Sequence, residues 1–185
     1  MPNLSYETAL IVGAGSGLSA SLARLFSREG LRVALAARNS EKLGGLCAET
    51  GAKAFGCDAT NPGQVAQMFA AVEAATGAPD VVVYNASARA RGPVAELVPA
   101  EVERALMVSA YGGFLVAREL APQGIHVGHF VIDGAIRNPG RMEPPDRPDS
   151  MLDPDAIAAS YLHLLQQPRS AWAWEIELRP WVERF

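Results

Sequence analysis

Gly13, Gly15 and Gly17 alternate through the segment ALIVGAGSGLSASLARLF (residues 9–26), where a short apolar run gives way to a helical pattern. That arrangement suits a nucleotide phosphate. A helix N-terminus leaves backbone N–H groups without partners and carries a partial positive charge, and residues without a Cβ let the backbone approach an anion closely. The turn is not a P-loop, because no Lys-Ser or Lys-Thr pair follows. Ser19 and Ala20 also stand where further glycine would complete a dinucleotide fingerprint. A tight turn for helix packing is the competing reading of the same glycines.

Other chemistry has less support. In HVGH (126–129) a spacing of three on a strand points the two imidazoles to opposite faces, and His163 stands alone on a helix, so no metal site is expected. Ser87 and Ser109 have no histidine placed beside them by any motif, which argues against a Ser-His hydrolase. Cys47 and Cys57 lack CxxC spacing and fall on an apolar helix stripe and a strand end. They read as small buried hydrophobes, and reduced thiols fit a cytoplasmic protein. Trp172, Trp174 and Trp181 read as core or subunit-contact residues rather than base-stacking platforms.

The elements that must position the glycine turn alternate between strand and helix. TALIVG (8–13) predicts a buried strand. Leu18, Leu22, Leu25 and Phe26 then form one helical face, with Gly30 ending the helix. RVALAA (32–37) is a second strand, and NSEKLGGLCAETG a capped helix with Leu43, Leu46 and Cys47 on one side and Gly51 at its end. KAFGCD (53–58) is a third strand. Asn61 caps the next helix, Pro62 occupies its first position, and Val65, Met68, Phe69 and Val72 make its stripe. DVVVYNAS (80–87) is a fourth strand. Helices of this length between strands imply parallel pairing with both sheet faces covered, an open doubly wound α/β sheet.

The second half is less regular. Residues 99–120 read as a helix despite Gly112-Gly113, each costing about 1 kcal/mol relative to Ala. GIHVGHFVI (124–132) predicts a strand. Residues 137–153 hold four prolines and mixed charge and predict a long surface loop. Asp153-Pro154 opens a last helix with Ile157, Tyr161, Leu164 and Leu165 facing inward, and WEIELRP (174–180) predicts a final strand.

Composition narrows the classes. The chain has 185 residues, 49% hydrophobic and 19% charged, enough for one domain with a real core. No apolar run approaches the roughly eighteen residues needed to cross a bilayer, and MPNLSYE has no basic stretch leading into an apolar core. The net charge is −4 and the 16 cationic residues are scattered, so no nucleic-acid footprint is expected. Fourteen of those are arginines; the only lysines are Lys42 and Lys53.

Residues 8–38 resemble the start of a short-chain dehydrogenase/reductase, whose glycine loop reads T-G-x-x-x-G-x-G. Here it stands as Val12-Gly13-Ala14-Gly15-Ser16-Gly17-Leu18-Ser19. Val12 cannot supply the hydroxyl of the family's Thr, whereas Ser19 is small enough to keep close packing. CDAT (57–60) resembles the segment after the family's third strand, and YNAS (84–87) its N-N-A-G with Ser87 for glycine. GIHVGHFVIDGAIRNP resembles G-I-R-V-N…P-G-x-I-x-T, with Asp133-Gly134 for Pro-Gly and Asn138 for Thr. The resemblance covers nearly the whole chain.

It implies a Rossmann-like sheet, one strand short of the family's usual one, in a single dinucleotide-binding domain over residues 1–185. It implies that Gly13, Gly15, Ser16, Gly17 and Leu18 wrap a pyrophosphate, that Asp58 and Ala59 lie at an adenine, and that Asn85, Ala86 and Ser87 border a ribose. Ile136 and Asn138 are expected beside the nicotinamide. At the end of the second strand an acidic residue would bind a ribose 2′-hydroxyl and repel a 2′-phosphate; here Ala37 is followed by Arg38, whose guanidinium suits a phosphate dianion. NADP is therefore favoured over NAD, a solvated strand-end arginine being the alternative. The implied substrate is a small carbonyl or secondary alcohol.

The family's reductases use a Tyr and a Lys spaced Y-x-x-x-K, with a Ser upstream. The tyrosine moves a proton at the carbonyl oxygen, and the lysine lowers its pKa. None of Tyr6, Tyr84, Tyr111 and Tyr161 has Lys four residues after it. No catalytic residue is identifiable, and Ser109 stands where the family has Asn. VERALMVSAYGGFLVA (102–117) resembles the start of one family helix, and RELAPQGIHV (118–127) the end of the next helix and the strand after it. Several dozen residues separate them in the family; here they join within about 115–120. Three explanations stand open: a deletion that leaves a nucleotide-binding module acting as a sensor or interaction protein, a longer active parent, or recruitment of another catalytic group. The helices flanking the junction commonly build the family's subunit interface, which keeps a homo-oligomer open.

Overall fold

The computed structural model describes residues 6–121 and 125–182. Gly124, the expected start of the fifth strand, and residues 1–5 lie outside them. The elements are β1 (Thr8–Val12), α1 (Leu18–Arg28), β2 (Arg32–Ala37), α2 (Gly44–Thr50), β3 (Lys53–Gly56), α3 (Pro62–Thr76), β4 (Val81–Tyr84), α4 (Pro99–Leu106), α5 (Gly112–Leu120), β5 (His129–Ile132), α6 (Pro154–Leu165) and β6 (Glu175–Leu178). A 3-10 turn at Ser40–Leu43 precedes α2, and a π turn at Met107–Tyr111 joins α4 to α5. The cap expected before α2 makes no side-chain hydrogen bond, because that entry is a 3-10 turn. Asn61 does cap α3, accepting from the Gln64 N–H at 3.0 Å, with Pro62 in its first turn.

Four parallel strands run in the order β3-β2-β1-β4. Alternate residues divide between two apolar layers. Ala9, Ile11, Val33, Leu35, Val81 and Val83 face Leu22 and Phe26 of α1 and Ile157 of α6. Leu10, Val12, Ala34 and Ala36 face Val65, Met68 and Val72 of α3 and Leu115 and Val116 of α5. The sheet is thus covered on both faces, as the continuous apolar strands predict.

The last two strands do not extend this sheet. β5 and β6 pair in parallel with each other as a separate two-stranded sheet, Phe130 opposite Ile176. Among the described residues no strand pairs with the outer edge of β4, where the shortened sheet stops. Trp174 and Trp181, 73% and 83% exposed, stay outside the core, so of the two expectations for them, core or subunit contact, burial in the core is not met. Trp172 is half-buried: its indole stacks on His126 with centroids 4.1 Å apart, and its Nε1–H donates to the Gln167 carbonyl.

Candidate functional site

A cavity of about 1200 Å³ opens at the C-terminal ends of β1, β2 and β4. There the order of strands around β1 reverses, the usual place for a ligand crevice in such a sheet. Of the residues expected at a site, Gly13, Gly15, Ser16, Arg38, Asp58, Ala59, Asn85, Ala86 and Ser87 line it. Gly17, Leu18, Ile136 and Asn138 are not in its wall.

The three glycines do different things. Gly13 has φ +85° and makes a turn whose N–H, with that of Ala14, donates to the Ala36 carbonyl at 2.9 Å. A methyl at Gly13 would collide with the backbone of Ala86, so this position serves the crossing of two chain segments. Around Gly15 nothing lies within 4 Å of where a Cβ would sit, and its surface is open to the cavity. Gly17 caps α1, with no acidic residue in the helix's first turn. The Asn138 side chain lies 3.8 Å from where a Gly17 Cβ would be, so the 137–153 loop rests on the glycine turn.

Ser19, which the resemblance assigns only a packing role, ties the turn to β4. Its Oγ–H donates to the Gly13 carbonyl at 3.1 Å and accepts from Asn85 Nδ2 at 2.8 Å, while Ser19 itself is 1% exposed. A hydroxyl pointing back across its own helix start carries no periodic signature, so nothing in the sequence marks this contact. Leu18 is buried in the layer beneath.

The cavity wall is electropositive. Arg24, Arg38, Lys42 and Arg104 line it against two carboxylates, Glu49 and Asp58. Arg24 and Glu49 pair at 2.7 Å, which lowers the carboxyl's pKa and raises the guanidinium's. Asp58 Oδ1 accepts from the Thr60 N–H at 3.0 Å and the Thr60 hydroxyl at 2.8 Å. Those two bonds, helped by the charge of Arg38, hold its carboxyl below the usual range. Burial pushes the Cys57 thiol up, so it is a packing residue of the wall and not a nucleophile.

Beyond β4, the Ser109 hydroxyl accepts from the Ala88 N–H and donates to the Ala88 carbonyl, both at 3.1 Å. It fixes the strand's exit rather than facing the cavity. The Tyr84 hydroxyl donates to the Val108 carbonyl, and burial pushes its pKa up to about 12. The same hydroxyl occupies the space a Gly112 side chain would need, the reason a glycine sits mid-helix at a cost in propensity. Ile136 bridges to Leu152, and the ion pair of Arg137 with Asp153 closes the base of the loop.

The family profile described as enoyl-(acyl carrier protein) reductase matches residues 13–137, more than half of the chain. The chain is a short-chain dehydrogenase/reductase. It is similar to D-threitol dehydrogenase of Mycolicibacterium smegmatis, 29% identical over 140 residues that take in 73% of this chain and 52% of that protein. An uncharacterized oxidoreductase of Staphylococcus aureus is 25% identical over 234 positions, covering 97% of this chain and all of its own. More than fifty of those positions have no counterpart residue here.

Among solved structures, a short-chain dehydrogenase of Rhodopseudomonas palustris superposes with a TM-score of 0.72 at 25% identity, covering 95% of this chain and 99% of its own. The alcohol dehydrogenase of Thermococcus sibiricus, complexed with 5-hydroxy-NADP, gives 0.80 at 20% identity over 96% and 98% of the two chains. The 3-ketoacyl-(acyl-carrier-protein) reductase of Brucella melitensis, complexed with NADH, gives 0.81 at 18% over 95% and 97%. This short-chain dehydrogenase/reductase therefore shares the fold of nicotinamide-nucleotide enzymes. Among the described residues its central sheet has four strands, and no tyrosine of the sequence is followed four residues on by a lysine.

Proposed function

We propose that this chain is the NADP(H)-holding part of an oxidoreductase that moves hydride between NADP(H) and a small carbonyl or secondary alcohol. The observation that carries the reading is the cavity itself: an open glycine turn and four cations against two carboxylates share its wall, in a chain whose overall charge is −4. An electropositive pocket in an acidic protein fits a ligand with several phosphates. Gly13, Gly15 and Ser16 meet the pyrophosphate from the cavity wall, with Gly17 and Leu18 as the helix start behind them, and Arg38 pairs with the 2′-phosphate. Asp58 and Ala59 sit at the adenine, Asn85, Ala86 and Ser87 at the ribose, and Ile136 and Asn138 flank the nicotinamide.

The proton that must accompany hydride transfer needs a donor near neutral pH. Tyr84, with its hydroxyl committed to Val108 and its pKa pushed up to about 12, is no such donor. The proton step then belongs to a further segment bearing a Tyr-x-x-x-Lys pair, at the junction near 115–120. The chain is a single dinucleotide-binding domain, and its two free cysteines fit a reducing cytoplasm.

Fluorescence titration with NADPH and NADH tests the cofactor assignment. NADPH binds at least about tenfold more tightly, and Arg38→Ala removes most of that preference, about 1.4 kcal/mol or more, with little effect on NADH. Equal losses for the two cofactors would refute the assignment of Arg38.

A further inference from the structure

Tyr84 closes β4 where three segments of the cavity wall converge. Its side chain is half-buried against the layer of α3 and α5. Its hydroxyl donates to the Val108 carbonyl and fills the space that a Gly112 side chain would take. The ring lies 3.6 Å from where a Gly113 Cβ would sit, and the Ala59 carbonyl 3.1 Å from the Cβ position of Gly112. Past the end of β4, the Ser109 hydroxyl holds both backbone groups of Ala88. The strand, the 57–60 segment and the long helix thus meet around one tyrosine.

The bond to Val108 accounts for the π turn. In a continuous α-helix the Gly112 N–H would donate to Val108, four residues back. Here it donates to Met107, five back, which leaves the Val108 carbonyl to the Tyr84 hydroxyl. A π turn within a helix is uncommon and often accompanies a functional site. Val108 and Arg104, four residues apart and so on one helix face, are this helix's two contributions to the cavity wall. Asp58, Ala59 and Ala88 stand in the same wall.

We infer that Tyr84 is a positioning residue for the nucleotide: its hydroxyl, seated against Gly112, holds the π turn and with it Val108 and Arg104 in the wall they share with Asp58 and Ala59. This role presupposes that the cavity binds a nucleotide, as proposed above, whichever of NADP and NAD that is. Tyr84 itself is outside the cavity wall and moves no proton. Gly112 is its counterpart, because only a residue without a Cβ admits the hydroxyl between strand and helix.

Calorimetric titration of the whole chain with 5′-ADP tests this, each variant being shown folded by circular dichroism. Tyr84→Phe is expected to weaken 5′-ADP about three- to tenfold, the range for one hydrogen bond. Gly112→Ala is expected to weaken it at least as much, because the methyl evicts the hydroxyl. In the double variant the ring has no hydroxyl to evict, so Gly112→Ala adds little to Tyr84→Phe. If Gly112→Ala alone fails to fold, recovery of the fold in the double variant carries the same meaning. Val33→Ala, a buried change outside the cavity wall, should lower stability and leave the affinity as it is. A matching loss of affinity there would show that Tyr84 acts through stability alone and overturn its positioning role. Unchanged affinity in Tyr84→Phe, or losses that multiply in the double variant, would overturn that role and leave the nucleotide reading standing. If the parent chain binds neither 5′-ADP nor NADPH, the nucleotide reading itself fails and the role of Tyr84 with it.

Discussion

The four-stranded sheet and the two-stranded one differ in their residues and in their surroundings. β1 is buried along its whole length and β2 at four successive positions, each between two helical layers. β5 and β6, with HFVI and EIEL, are nowhere fully buried, and no strand joins them to β4 among the described residues. Every residue of the cavity wall except Arg104, Val108 and Pro139 comes from the part of the chain up to Ala88. The cavity wall is therefore almost complete within the first half of the chain. A parallel sheet allows the separation because each βαβ unit closes its own hydrogen bonds and its own share of both layers.

Restoring what the second half lacks should have the largest effect. A segment of about fifty residues bearing the upstream Ser and the Tyr-x-x-x-Lys pair, grafted between Leu115 and Leu120, should join the two sheets and give ketone turnover with NADPH where the parent chain has none. Changing the grafted tyrosine to phenylalanine should reduce that turnover by about 10²–10⁴-fold, the range of one general acid. Turnover insensitive to the tyrosine, or equal turnover by the 185-residue chain, would show that another group has been recruited.

One substitution made in both sheets sharpens the contrast. Val33 of β2 is 4% exposed in the layer under α1, whereas Val131 of β5 is half-buried and belongs to neither buried cluster. Val33→Ala should cost about 2 kcal/mol, from lost transfer energy and a residual cavity, and Val131→Ala under about 1 kcal/mol. Denaturant midpoints of the two variants measure this directly. Equal costs would mean that the second sheet is as tightly packed as the first.

What the sequence made legible divides along the same line. The stripes of α1 and α3, the caps at Asn61 and Asp153, and the apolar strands β1, β2 and β4 rest on spacing within ten or so residues, and the structure has them. Contacts between distant residues leave no such mark. Gly13 reads as a phosphate glycine, yet its tightest neighbour is Ala86. Gly112 reads as a helix defect until the Tyr84 hydroxyl is seen against it. The Arg24–Glu49 pair, the doubled role of Ser19 and the detachment of β5 and β6 depend on pairings that no periodicity encodes. Likewise, the alternation of Trp172, Trp174 and Trp181 fits a core or a subunit contact, and only the fold shows Trp174 and Trp181 exposed outside both apolar layers.

The smallest effect separates the halves electrostatically. The Asp58 carboxyl is half-buried, fixed by two hydrogen bonds from Thr60, and has its pKa held down. A folded-state pKa below the unfolded value near 3.9 means that the ionised form stabilises the fold at neutral pH, and that this contribution is lost as pH falls through the folded pKa. Asp58→Asn should therefore lower stability by about 0.5–1 kcal/mol at pH 7, and the gap from the parent should close as pH falls from about 4 towards 2. In the second sheet the Glu175–His129 pair spans two exposed side chains at 3.0 Å, and Glu175→Gln should shift stability by less than about 0.5 kcal/mol. Thermal unfolding of both variants from pH 7 to pH 3 reads the comparison. An Asp58→Asn gap that did not narrow at all between pH 7 and pH 3 would mean that Asp58 stabilises the turn through its shape and not its charge, and the electrostatic difference between the two halves would go with it.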